Sequence, residues 1–158
     1  MLHLSYWGFD GQPHTGTIVV AASVTVQVAA VFRQLYDQRF PIRQMRPVDA
    51  FAGSDPASMS ADNTSGFNCR NAVAAGAPRW SAHAYGTAID VNTVENPYLE
   101  RGVVQPANGA AFVDRKNVRP GMAETNGTLN RAFAAIGWQW GGRWTGAPDY
   151  QHFSADGG

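Results

Sequence analysis

Two short segments hold the residues best suited to chemistry. The stretch from Ser81 to Asp90 (SAHAYGTAID) and the stretch Asp149-Tyr150-Gln151-His152 supply between them two histidines and two aspartates. Imidazole nitrogen and carboxylate oxygen are ligands that zinc accepts, and a catalytic zinc keeps one position open for water. His83, Asp90 and His152 with one water would make such a shell. Asp149 is then free to act as a base on that water. Gly86 allows a sharp turn after His83. A strand over Thr87–Asn92, with Ala88 and Asp90 alternating with Ile89 and Val91, would bring Asp90 back toward the same point. Asp149 and His152 are three residues apart and would face opposite sides of one regular strand. Asp149 is therefore expected in the loop opened by Pro148, with His152 on the strand that follows.

Composition narrows the chemistry. The chain has 158 residues, which suits one domain, taken here as 1–158. Twelve Lys and Arg balance twelve Asp and Glu, so no long-range field for nucleic acid is implied. A single cysteine, Cys69, excludes an internal disulfide and the Cys-rich zinc patterns. Any metal must use His and carboxylates, and only His3, His14, His83 and His152 are available. His3 and His14 have no partner motif. No apolar run has membrane-spanning length, and the first residues lack the basic start and apolar core of a secretory signal.

The elements that must position these residues follow from periodicity. Residues 1–16 read as an irregular arm and Thr17–Val20 as a short strand. Val24, Val28, Val31, Phe32 and Leu35 mark one apolar face of a helix. Ser23 is its expected N-cap, and Pro41 ends it. Residues 42–51 are expected to contain a strand and 53–66 a loop, while 67–80 carries no clear pattern. Residues 93–121 are expected to be a long loop excursion. Leu129, Phe133 and Ile136 mark a second helix that Gly137 can close. Trp138 and Trp140 are assigned to the core. Mixed order without a βαβ rhythm makes the expected class α+β.

Three motifs taken together carry a resemblance. Ser-x-His-x-x-Gly-x-Ala-x-Asp at 81–90, Trp-Gly-Gly-x-Trp at 140–144 and Asp-x-x-His-Phe at 149–153 resemble the zinc D-alanyl-D-alanine carboxypeptidase and L-alanyl-D-glutamate endopeptidase family. This VanY-type group shares its fold with the hedgehog signalling domain. The resemblance spans roughly residues 40–154. It implies one zinc per chain on His83, Asp90 and His152, a catalytic carboxylate at Asp149, and a small α+β domain with a central antiparallel sheet. Arg70, after Ser65-Gly66-Phe67, resembles the family's arginine that steadies the substrate carbonyl and the developing oxyanion, with Asn68 and Cys69 as two extra residues before it. Arg143 stands where relatives often carry Asp. Ser81, Tyr85 and Trp144 are candidates for substrate contact, with a turn cap as the equal alternative for Ser81.

The implied substrate is the peptidoglycan stem peptide. The implied enzyme is monomeric and acts outside the cytoplasm at the bacterial wall, as a mature fragment or a phage endolysin. Relatives with Asp before the final His include phage-type endopeptidases, which favours cleavage inside the stem. Removal of terminal D-alanine is the alternative, and a zinc-containing binding module without turnover is the second.

Overall fold

The computed structural model describes residues 1–73 and 77–157. Residues 74–76, inside the stretch without a clear sequence pattern, and Gly158 lie outside the described residues. Two strands, β1 (Leu2–Trp7) and β2 (Pro13–Ile18), open the chain as an antiparallel hairpin. The first 16 residues are therefore not an irregular arm. Leu2, Leu4 and Tyr6 alternate with His3 and Ser5, and the alternation turns the larger apolar side chains toward the core.

Helix α1 (Thr25–Asp37) buries Val28, Val31, Phe32 and Leu35 along the face that their spacing predicts. Its entry differs from expectation. A 3-10 turn over Ala22–Val24 precedes it, and Ser23 lies in that turn with no side-chain cap at the helix start. After Pro41 the chain makes only a two-residue strand, β3 (Gln44–Met45), and then a 3-10 turn, Val48–Phe51.

The expected loop 53–66 contains a short helix, α2 (Asp55–Ser60). Ser54 caps it by accepting from the Ala57 amide at 3.3 Å, and Pro56 fits its first turn. Strand β4 (Asn63–Thr64) pairs in parallel with β3. Strand β5 (Ala88–Asp90) falls within the predicted 87–92 segment. The 93–121 excursion is more ordered than a loop. It holds a hairpin of β6 (Tyr98–Glu100) and β7 (Val103–Gln105), followed by a 3-10 segment, Ala107–Phe112.

Helix α3 (Thr128–Ala134) buries Leu129 and Phe133; Ile136, expected on it, lies in the turn that follows, where Gly137 has a φ of +81°. Strands β8 (Gln139–Trp140) and β9 (His152–Ser154) complete a three-stranded sheet in the order β5-β9-β8. The class is mixed α and β, as expected. In place of one central sheet, the strands of the described residues divide among four small sheets, three of them antiparallel.

The apolar core lies between α1, α3, the β1–β2 hairpin and the three-stranded sheet. Phe133 stacks on Phe153 with ring centres 4.3 Å apart, and Trp138 stacks on Phe133 at 5.6 Å. Trp138 and Trp140 are both buried, in agreement with their assignment to the core. Among the described residues no helix is long and apolar enough to cross a membrane.

Candidate active site

The pairing of β5 with β9 sets the site. In the antiparallel register Asp90 lies opposite His152 and Ile89 opposite Phe153. Directly opposed residues share a face and neighbouring pairs alternate. Ile89 and Phe153 enter the core while Asp90 and His152 meet on the other side.

His83 arrives from a different element, the 3-10 turn Ala82–Tyr85. Ser81 caps that turn, its hydroxyl accepting from the His83 amide at 3.3 Å. Gly86 closes it at φ +67° and donates its backbone N–H to the His83 carbonyl at 3.0 Å. A Cβ on Gly86 would lie 2.5 Å from the Ala21 nitrogen, so this approach requires glycine.

Three donor atoms converge. His83 Nε2 is 3.1 Å from His152 Nδ1 and 3.2 Å from Asp90 Oδ2, and His152 Nδ1 is 3.2 Å from Asp90 Oδ1. Ligand atoms around a tetrahedral zinc with bonds of about 2.0–2.1 Å are about 3.3 Å apart. The triangle therefore fits such an ion. His83 Nδ1 donates to the Gly66 carbonyl at 2.7 Å, which leaves the Nε2 lone pair facing the centre of the triangle. His152 presents Nδ1, and its Nε2 is buried without a partner among the described residues. The three residues are a potential metal site.

Asp149 stands beside them in the bend before β9, where sequence reasoning expects it. Its amide donates to the Gly141 carbonyl at 3.0 Å, and its backbone bridges Tyr98 of β6. A Cβ on Gly141 would lie 2.8 Å from the Asp149 carbonyl, so the first glycine of Trp-Gly-Gly permits this contact. Asp149 Oδ1 is buried and takes no hydrogen bond among the described residues.

Charge in the site is tightly coupled. Burial, and then the Asp90 charge, push the Asp149 carboxyl well above the usual carboxylate range. Burial also opposes charge on Asp90, but the two histidines outweigh it and hold Asp90 below that range. Burial alone would lower His83, yet Asp90 raises it, whereas burial prevails at His152 and lowers it. A cation in the triad would relieve the repulsion between Asp90 and Asp149.

These groups line a cavity of about 460 Å³ together with Arg70, Ser81 and Trp144. The Trp144 ring centre is 5.3 Å from that of His152. Tyr85 differs from the expectation. It is 62% exposed and lies outside the cavity lining, two residues past His83 at the end of the 3-10 turn. Arg143 is also exposed and outside the lining.

Sequence reasoning missed several residues that line the cavity. Asp55 pairs with Arg70, its Oδ2 2.9 Å from Arg70 Nε. Tyr98, Glu100 and Arg101 form a wall from the β6–β7 hairpin, which reads as loop in the sequence. The Ser54-Asp55-Pro56 run was a readable helix-start signal. The hairpin strands are too short to show a period.

Two imidazoles and a carboxylate around one point, beside a carboxylate oxygen with no other partner, are the parts of a hydrolytic metal centre. Comparison with known families narrows that class. A family model described as D-alanyl-D-alanine carboxypeptidase matches residues 75–155, just over half of the chain, and the chain belongs to this VanY-like peptidase family. Membership implies a peptidase, and the match contains His83, Asp90, Asp149 and His152, while Asp55 and Arg70 precede it. No curated protein and no solved structure matches the chain.

Proposed function

We propose that the protein is a zinc-dependent peptidase that hydrolyses bonds within peptidoglycan stem peptides, acting as a monomer outside the cytoplasm at the bacterial wall, as a wall-remodelling enzyme or an endolysin. The observation that carries this reading is the triangle of His83, Asp90 and His152 donors next to the unclaimed oxygen of Asp149. Bound there, zinc would supply a Lewis acid and lower the pKa of a water toward neutrality.

The chain's own residues do the rest. Asp149 takes a proton from the attacking water and returns one to the leaving amine. Arg70 lies in the cavity wall, where its guanidinium meets the negative charge that develops on the carbonyl oxygen. Ser81 holds the His83 turn, and Trp144 offers an apolar wall to the peptide. The Asp149 carboxylate is what a binding module without turnover would lack.

Arg79 and Arg101 also line the cavity, and neither forms an ion pair among the described residues. Both are cations able to hold a substrate carboxylate. Such a carboxylate is present in both candidate substrates. A γ-linked D-glutamate keeps its α-carboxylate next to the L-alanyl bond, and a terminal D-alanine ends in one. A cavity of about 460 Å³ takes a ligand of several residues and suits either substrate. The Asp-x-x-His form of the segment 149–152 favours endopeptidase action over removal of a single terminal D-alanine. Arg79 and Arg101, without an ion pair among the described residues, keep the carboxypeptidase reading second.

Two stem peptides, one with a free and one with an amidated C-terminus, test this. Zinc-loaded protein should cut both at similar rates and release a product longer than one residue. Chelation should abolish cleavage, and added zinc should restore it. Release of D-alanine alone, and only from the free acid, would establish the carboxypeptidase reading instead.

A further inference from the structure

We propose that Asp55 is a positioning residue for Arg70, and that Asp55 and Asn68 together fix the guanidinium in the cavity wall. The proposal rests on the reading of Arg70 as the group that steadies the oxyanion. Asp55 Oδ2 lies 2.9 Å from Arg70 Nε, and Asp55 Oδ1 accepts from Asn68 Nδ2 at 2.7 Å. Oδ1 is thus hydrogen-bonded, whereas Oδ2 meets the buried Nε as an ion pair without hydrogen-bond alignment. Asp55 is the first residue of α2, between the Ser54 cap and Pro56.

Asn68 is buried, and its backbone N–H donates to the His83 carbonyl at 3.1 Å. One short chain of contacts thus runs from the His83 turn through Asn68 and Asp55 to Arg70. It gives a purpose to the two residues that separate Phe67 from Arg70. They bring Asn68 to the point where its side chain reaches Asp55.

Two physical needs are met by this arrangement. An arginine side chain has many rotamers, and a partner that holds it beforehand reduces the ordering lost when substrate binds. The ion pair lies along the Nε edge and Nη1 donates to the Asn71 carbonyl at 3.4 Å, while Nη2 has no hydrogen bond among the described residues and is left for a substrate oxygen. In addition, a metal cation and a guanidinium in one cavity repel each other, and the Asp55 carboxylate offsets that repulsion.

The test uses full-length zinc-loaded protein and four variants: Asp55→Asn, Asp55→Glu, Arg70→Ala and the Asp55→Asn/Arg70→Ala double variant. The readouts are kcat, KM, zinc content and the affinity of a phosphinate stem-peptide analogue, whose tetrahedral anion mimics the intermediate. Asp55→Asn should lower kcat and phosphinate affinity together by about 10- to 100-fold, the scale of a lost charge-assisted contact. KM and zinc content should stay near wild type, and Asp55→Glu should recover part of the loss.

In the Arg70→Ala background, Asp55→Asn should cost nothing further. Calorimetry of the phosphinate decides this point where turnover is too slow to follow. An Asp55→Asn variant with wild-type kcat and phosphinate affinity would overturn the proposal. The same loss with and without Arg70 would also overturn it, because it would make Asp55 a structural residue only. Failure of the wild type to cut stem peptide or bind phosphinate would instead remove the functional reading on which the proposal rests.

Discussion

Asp149 and Asp90 are the same residue type in one cavity, yet their surroundings drive them apart. Two histidines within 3.2 Å stabilise the Asp90 charge, whereas Asp149 is denied solvent and faces that charge. One carboxylate is thereby fitted to be a ligand and the other to carry a proton. Asp149→Asn keeps the shape and removes the proton-accepting oxygen. The variant should retain the fold and full zinc content, with kcat reduced by about 10²–10⁴-fold, the usual worth of general-base catalysis. Parallel metal analysis and stem-peptide assays check this, and a rate near wild type would require another base. That His83, Asp90, Asp149 and His152 come together was legible in the sequence through the three motifs taken jointly, since only the histidines are few and a histidine–aspartate spacing alone says little. Asp55 was not legible, because an aspartate after serine and before proline reads equally well as an ordinary helix start. Its pairing with Arg70 exists only in three dimensions.

At the level of elements, the site depends on a strand register and a turn. Slipping β9 by one residue against β5 would send His152 into the core and Phe153 into the cavity. The core therefore protects the ligand geometry, since Phe153 is fully buried against Phe133. The turn depends on Gly86, whose φ of +67° and close approach to the Ala21 backbone exclude a side chain. Gly86→Ala should destabilise the protein by about 2 kcal/mol or more, combining a left-handed backbone penalty with a backbone clash. Because Gly86 follows the His83 turn directly, zinc affinity should fall as well. Thermal melts with and without zinc, together with a metal titration, measure both effects. Unchanged melting and affinity would mean that the turn relaxes without moving His83. Helices α1 and α3 were legible because Val28, Val31, Phe32 and Leu35, and likewise Leu129 and Phe133, repeat at helical spacing on a buried face. The β1–β2 hairpin was obscured by the Gly, His and aromatic residues around its turn. Its Leu2, Leu4, Tyr6 alternation was a usable signal all the same.

Taken whole, the molecule has an apolar half and a polar half, held by different forces. Around the helices and the β5-β9-β8 sheet, packing dominates. On the side of the 93–121 segment, buried asparagines bridge chain segments that share few sheet bonds. Asn92 Nδ2 donates to the Pro41 and Gly121 carbonyls at 2.8 and 3.1 Å, and Asn96 Oδ1 accepts from Arg115 Nη2 and the Ala123 amide at 3.0 and 2.6 Å. Side-chain bonds of this kind leave no periodic trace in a sequence, which is why the segment read as loop. Glu95 lies in this polar half, 3% exposed, with Asp62 beside it and Arg43 Nη2 3.7 Å from its Oε1. Arg43 in turn contacts Asp62 at 3.3 Å and lies over the Phe9 ring, so its charge is shared. Burial first, and then Asp62, push the Glu95 carboxyl up to about 8. The native protein thus retains a proton that the unfolded chain releases near pH 4.5, the ordinary value for this group. Its contribution to stability is full below that value and is lost as pH rises through about 8. Over that window one retained proton gives a slope of about 1.4 kcal/mol per pH unit. Glu95→Gln is neutral throughout and cannot titrate. Urea unfolding of wild type and Glu95→Gln between pH 5 and pH 8, in excess zinc, should give curves that diverge with pH, the wild type losing stability faster toward pH 8. Histidine protonation weakens zinc binding toward low pH equally in both proteins, so it cancels in the comparison. Parallel curves would show that Glu95 is ionised in the native state and that Arg43 carries its charge.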